Sequence, residues 1–121
     1  MTYKEVADMI KEVGIPTAYY QFPDDTEQSP PFICFFYPNS NDVIADNTNY
    51  QKVEHLAIEL YTDNKDFALE ATLEGVLNSH DLVYARSEEY LDSERMFFVL
   101  YETEVIITAD TATEETNGEQ N

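Results

Sequence analysis

The chain has 121 residues, enough for one domain around one core. Hydrophobic residues make up 43% of it, and 25 acids stand against six bases for a net charge of −19. That sign excludes a direct grip on nucleic-acid phosphates or on an anionic membrane, both of which need a basic face, and no window reaches the roughly 18 apolar residues of a membrane span.

The first residues carry acids where a secretory signal would have a basic and then an apolar run, so the expected location is the cytoplasm. Cys34 is the only cysteine, which removes an internal disulfide and any Cys-cluster zinc site. Four of the acids (Asp110, Glu114, Glu115 and Glu119) lie beyond Ala109, leaving 21 acids against six bases in the rest. Such a field keeps copies soluble and apart and works against compactness through self-repulsion.

Thr2 and Glu5 have the spacing of a capping box, and Val6, Met9, Ile10 and Val13 follow the i, i+3, i+4, i+7 stripe of an amphipathic helix. With Gly14 and Pro16 as stop signals, the first helix is predicted over residues 2–13. Residues 17–22 are rich in strand formers and end at Pro23, and residues 24–31 read as an acidic, proline-containing loop. Residues 32–37 are apolar on both faces, which predicts a strand covered on both sides or pressed against a partner. These two strands are expected to form a hairpin with a flexible tip. A polar loop over residues 38–49 is expected to follow.

Over residues 52–61, Leu56, Ile58 and Leu60 alternate with His55, Ala57 and Glu59, the pattern of a half-buried antiparallel strand. Thr62, Asp63 and Asn64 are expected to cap a second helix with Asp66 in its first turn and Leu69, Leu73, Val76 and Leu77 on its core side. Residues 78–81 end it. A short strand over 82–86, a polar connection over 87–94 and a long strand over 96–108 complete the domain. In the last strand Phe97, Val99, Tyr101, Val105 and Ile107 share one face, while Met96, Phe98 and Leu100 lie on the other. Residues 109–121 lack apolar periodicity and are expected to be a disordered acidic tail, leaving 1–108 as a single domain. The predicted class is α+β: a mostly antiparallel sheet of about four to five strands with two helices packed on one face. Phe98, Leu100 and one side of residues 32–37 then form surplus apolar surface on the other face, to be covered by a loop or by another subunit.

The residues that could carry chemistry are few. His55 and His80 lack a nucleophile signature such as Gly-x-Ser-x-Gly, so neither is read as a catalytic base. Cys34 lies between Phe32 and Phe36 on one strand face and reads as a small buried hydrophobe, not a reactive thiol. Asp24, Asp25 and Glu27, or Asp42 with Asp46, offer oxygen ligands, but neither group has the spacing or the glycine of an EF-hand loop. Three glycines (Gly14, Gly75 and Gly118) make no phosphate-cradling loop. No catalytic residue, metal or other cofactor is therefore expected, and the chain is read as a non-enzyme. Nine tyrosines and seven phenylalanines say more, because aromatic side chains dominate protein interfaces. They either cap the ends of the sheet or anchor a partner. The candidate subunit-interface residues are Phe32, Phe35, Tyr37, Tyr50, Tyr90, Phe98 and Leu100.

Four segments (residues 18–23, 30–37, 58–66 and 91–101), taken in this order, resemble small neck and tail-completion proteins encoded in prophages of Gram-positive bacteria. Within that set they resemble the tail-terminator group of long-tailed phages, over about residues 2–108. The resemblance implies an α+β structural protein without catalytic residues. Its copies would form a ring, usually a hexamer, that caps the tail tube, with the tube protein and the head–tail connector as partners. Its expected place is the host cytoplasm during assembly and then the neck of the virion. A terminator and another neck protein both fit. A different class, an acidic DNA mimic or anti-defence protein that binds a host protein, is the alternative that the charge alone allows.

Overall fold

A computed structural model describes residues 1–23, 28–45 and 48–109. Chain order is α1 (Tyr3–Lys11), β1 (Thr17–Tyr19), β2 (Phe32–Ser40), β3 (Val43–Ala45), β4 (Thr48–Thr62), α2 (Phe67–Ser79), β5 (Tyr84–Leu91) and β6 (Met96–Ile107). The strands make one open sheet in the order β1-β2-β4-β6-β5, with β3 beside the first residues of β4. Two helices on a six-stranded, mostly antiparallel sheet are an α+β fold, one strand richer than expected.

Helix α1 starts where the capping box places it. Thr2 accepts from the Glu5 N–H at 3.0 Å, and Glu5 accepts from the Thr2 N–H at 2.9 Å, so two otherwise orphaned donors are satisfied. It ends at Lys11 with Glu12 as its C-cap, and the chain then turns at Gly14, whose φ of +89° is a conformation that a side chain would strain. Helix α2 is capped by Asp66, which accepts from the Leu69 N–H at 3.0 Å. The cap is thus later than the expected Thr62–Asn64, because β4 keeps its ladder to β6 through Thr62.

Val6, Met9 and Ile10 of α1 and Leu73 and Leu77 of α2 meet Ile33, Leu56, Ile58, Leu60, Val99, Tyr101 and Val105 of the sheet, all essentially buried. This is the face that the alternation in β4 and β6 predicts. Full burial of each such side chain stabilises by about 1.5–3 kcal/mol, and truncating Ile58 to alanine would cost about 2–5 kcal/mol. Polar ties fasten α2 to the same layer. Glu70, 4% exposed, accepts from Lys65 at 2.6 Å and Arg86 at 2.8 Å, and the Tyr101 hydroxyl donates to Glu74 at 2.7 Å.

Three expectations need correction. The pair β1–β2 is parallel, with Thr17 opposite Ile33 and Tyr19 opposite Phe35, and is not a hairpin. The connection between them spans residues 20–31, a length suited to a crossover, which needs about a dozen residues, and longer than a tight turn. Tyr20, with φ of 69°, turns the chain off the sheet edge and ends β1 short of Phe22. The expected loop over 38–49 contains strand instead: β2 runs on to Ser40, and β3 pairs with β4. Between β2 and β3 the backbone is tied to β4 by Asn41 N–H to the Val53 carbonyl at 2.8 Å and by Val53 N–H to Asp42 at 3.0 Å. The expected connection over 87–94 is mostly β5, paired with β6 as far as Leu91 opposite Met96. Of the tail expected to be disordered over residues 109–121, all but Ala109 lies outside the described residues.

Candidate interaction surface

The sheet face away from the helices carries a row of linked aromatic rings. Phe32, Tyr61 and Phe98 are register partners on β2, β4 and β6, so they stand in a row across the strands. Phe32 stacks on Tyr61 with centroids 4.8 Å apart and planes at 24°, and Tyr61 leans on Phe98 at 5.2 Å. Phe22, on the segment returning from β1, closes the row edge-on to Phe32 at 5.5 Å. Such pairs gain about 0.5–1.5 kcal/mol each beyond the area they bury. Phe32, Tyr61, Phe98 and Leu100 remain half-buried, so part of each ring or side chain faces water.

Cys34 lies on this face between Phe32 and Phe36 and is 5% exposed. With Tyr20, Gln21 and Phe22 it lines a cavity of about 450 Å³ that also includes Glu59 and Tyr61. Burial, with a smaller contribution from Glu59, pushes the Cys34 thiol up to about 11. Burial also raises the Glu59 carboxyl above its ordinary range, partly offset by the hydrogen bond donated by the Tyr61 hydroxyl at 3.0 Å. At the other end the face is charged: His55 sits 3.0 Å from Glu102, and Glu104 is its register partner.

The predicted interface residues separate into groups. Phe32, Phe98 and Leu100 share the open face. Phe35 does not: its register partner is Ile58, and it is 7% exposed within the core. Tyr37 is half-buried on the helix side, edge-on to Tyr3 at 5.3 Å. Tyr90 is 46% exposed near the end of β5 and leans on Phe97 at 5.0 Å. Tyr50 belongs to β4, but its side chain lies outside the described residues. Sequence reasoning missed Tyr61, which continuing the outward alternation His55, Ala57, Glu59 by one step would have found. It also missed Phe22, whose position depends on the crossover and has no local signal.

A second exposed feature is a ribbon of two strands. Strand β6 pairs with β4 only from Lys52 onward, so among the described residues only β3 pairs with the start of β4. On β3, Val43 and Ile44 are 45% and 67% exposed.

Of the residues considered for chemistry, His55 pairs with Glu102 and His80 with Glu12, each at 3.0 Å. Asp42 is engaged with the Val53 N–H. Asp24, Asp25, Glu27 and Asp46 lie outside the described residues. Among the described residues, no three His, Cys, Asp or Glu side chains come together to hold a metal, and no helix is long and apolar enough to cross a membrane.

No protein-family model matches the chain, and no curated protein does. Among solved structures, a chain in the virion of a native gene transfer agent particle is similar, with a TM-score of 0.55 and 13% sequence identity. The match covers 86% of this chain and 88% of that one, so the two share nearly the whole fold.

Proposed function

We propose that the chain is a structural protein of a phage-type virion. Its finer role in this reading is at the end of the tail, where a ring of copies caps the tail tube and helps join it to the head, as a tail terminator or a related completion protein. The observation that carries the proposal is the fold shared with a virion chain over most of both lengths. The surface supports it. A half-exposed aromatic row on one sheet face and the exposed Val43 and Ile44 on a projecting ribbon are two unlike patches. Unlike patches are what a head-to-tail ring contact requires, since one surface must meet a different surface on the next copy. A net charge of −19 suits a channel through which DNA must slide without sticking. The role needs no catalytic group, and we propose none.

Deleting the gene from the particle-producing genome and imaging the lysate by electron microscopy tests this reading. Loss of a terminator leaves tails of irregular, excessive length unattached to filled heads. Tails of normal length joined to heads would sink the proposal, and normal free tails beside tailless heads would move the protein elsewhere in the neck.

A further inference from the structure

A groove of about 710 Å³ lies on the helix side of the sheet, where α1 meets the outer edge of β2. The shortness of β1 creates it. Tyr20 turns away after pairing with the Phe35 carbonyl at 2.8 Å, so the remainder of β2 has no neighbouring strand on that side among the described residues. Three tyrosines wall the groove. Tyr37 stands edge-on to Tyr3 at 5.3 Å and faces Tyr19 at 6.0 Å with planes at 36°. Tyr3 and Tyr19 are 43% and 55% exposed, two large rings left in water beside each other. Asn39, Ser40, Lys52 and Glu54 add polar side chains to the lining. Glu54 accepts from the Tyr3 hydroxyl at 2.6 Å, and the hydroxyl of Tyr37 is buried with no hydrogen-bond partner among the described residues.

These features select a ligand by elimination. An anion meets Glu54 and the field of a chain at −19. A purely apolar group would strip water from Glu54 without replacing it, at about 1–3 kcal/mol. A guanidinium suits both the carboxylate and the exposed rings. Its plane lies against the exposed rings of Tyr3 and Tyr19, and its N–H donors pair with the Glu54 carboxylate. The geometry points to this groove as the seat of an arginine side chain presented by a partner protein. It is a contact separate from the aromatic row, and it rests on the chemistry of the groove whatever the particle's role. Lys52, on the same face of β4 as Glu54, is the only base among the lining residues and acts as a built-in competitor.

The test uses the full chain with N-acetyl-arginine methylamide as the probe and its uncharged isostere, the citrulline analogue, as the control, read through the tyrosine ring resonances by NMR. The arginine probe shifts the Tyr3, Tyr19 and Tyr37 rings saturably, and the citrulline probe does so at least about fivefold more weakly. Glu54→Gln weakens the arginine effect about tenfold, the scale of one charge-assisted hydrogen bond. Tyr19→Ala, at an exposed position, weakens it with the methyl resonances of Leu56 and Ile58 unchanged, and Lys52→Ala strengthens it. Equal binding of the citrulline probe, shifts confined to the open face, or indifference to Glu54→Gln would each overturn the inference. So would ring shifts that grow with protein concentration alone, which would make the occupant a second copy.

Discussion

The guanidinium of Arg86 on β5 and the carboxylate of Glu70 on α2 meet at 2.8 Å, and the Glu70 side chain is only 6% exposed. The contact holds the second helix to an edge strand that has little apolar surface of its own: Ser87, Glu88 and Glu89 are all exposed. Lys65 completes the site by reaching both Glu70 and Glu88. The hydrogen bond to Glu70 is the first cause that raises the Arg86 pKa, so the base is a permanent cation.

Arg86→Ala should therefore destabilise the fold. It leaves a buried carboxylate with one cation instead of two, a loss of about 2 kcal/mol after allowing for the partial exposure of Arg86. Urea unfolding monitored by tyrosine fluorescence measures this. A loss below about 0.5 kcal/mol would place the pair with ordinary surface ion pairs.

Glu59→Gln should act in the opposite direction. Burial raises the Glu59 carboxyl pKa, so the folded state binds its proton more tightly than the unfolded chain does. The stability belonging to the protonated form is present below the unfolded value and is lost as pH rises through the raised folded value. Glutamine keeps an acceptor for the Tyr61 hydroxyl and removes the buried charge. The variant should gain up to about 0.5 kcal/mol at pH 7 and nothing near pH 3–4. A gain that persists unchanged in acid would assign the effect to packing.

Where the fold was legible in the sequence, the signal was local. The capping box, the α1 stripe and the alternation Leu56, Ile58, Leu60 each specify their own geometry within a few residues, and all three stand as read. Strand β3 and the part of β5 beyond Arg86 were not legible, because their pairing comes from the backbone of β4 and β6. Residues 43–45 and 87–89 are exposed throughout, so no alternation marks them. The direction of β1 was equally silent, since strand propensity says nothing about which neighbour a strand finds or in which sense. Of the candidate surface, Phe32, Phe98 and Leu100 were legible from period two. Phe35 was misplaced, because residues 32–37 are apolar on both faces and do not reveal which parity points inward.

The thiol of Cys34 should be nearly inert in the folded protein. Burial moves it up to about 11 and leaves it 5% exposed. Relative to an ordinary thiol this lowers the thiolate fraction at pH 8 about 100-fold, and iodoacetamide needs the thiolate. Alkylation followed by mass spectrometry should be at least that much slower in buffer than in 6 M urea. Comparable rates in both would mean that the segment carrying Phe22 does not cover the sulfur.

Salt should stabilise the domain. Twenty-five acids against six bases make most charge pairs repulsive, and shortening the Debye length weakens repulsion more than it weakens a sheltered pair such as Glu70 with Arg86. Thermal midpoints should rise between about 0.02 M and 0.5 M NaCl. A flat or falling response would mean that the attractive network outweighs the surplus of acids.

The aromatic row gives the sharpest test of the proposed assembly role. Phe98 is half-buried, leans on Tyr61 and is the register partner of that residue, so its ring supports the row from one side only. Phe98→Ser should cost the isolated protein about 1 kcal/mol, part of the value of a fully buried phenylalanine. A ring contact through this face would lose far more, because aromatic anchors carry most of the binding energy where they are enclosed by a partner. Phe67 is the control: 70% exposed on α2, it lies in the helix layer with Lys65 over its ring. Supplied from a plasmid to a genome lacking the gene, Phe67→Ser should restore tails of normal length joined to heads. Phe98→Ser should accumulate as folded protein and fail to do so. Normal joined particles with Phe98→Ser would remove the open face from the assembly contact, and failure of Phe67→Ser alone would transfer that contact to the helix layer.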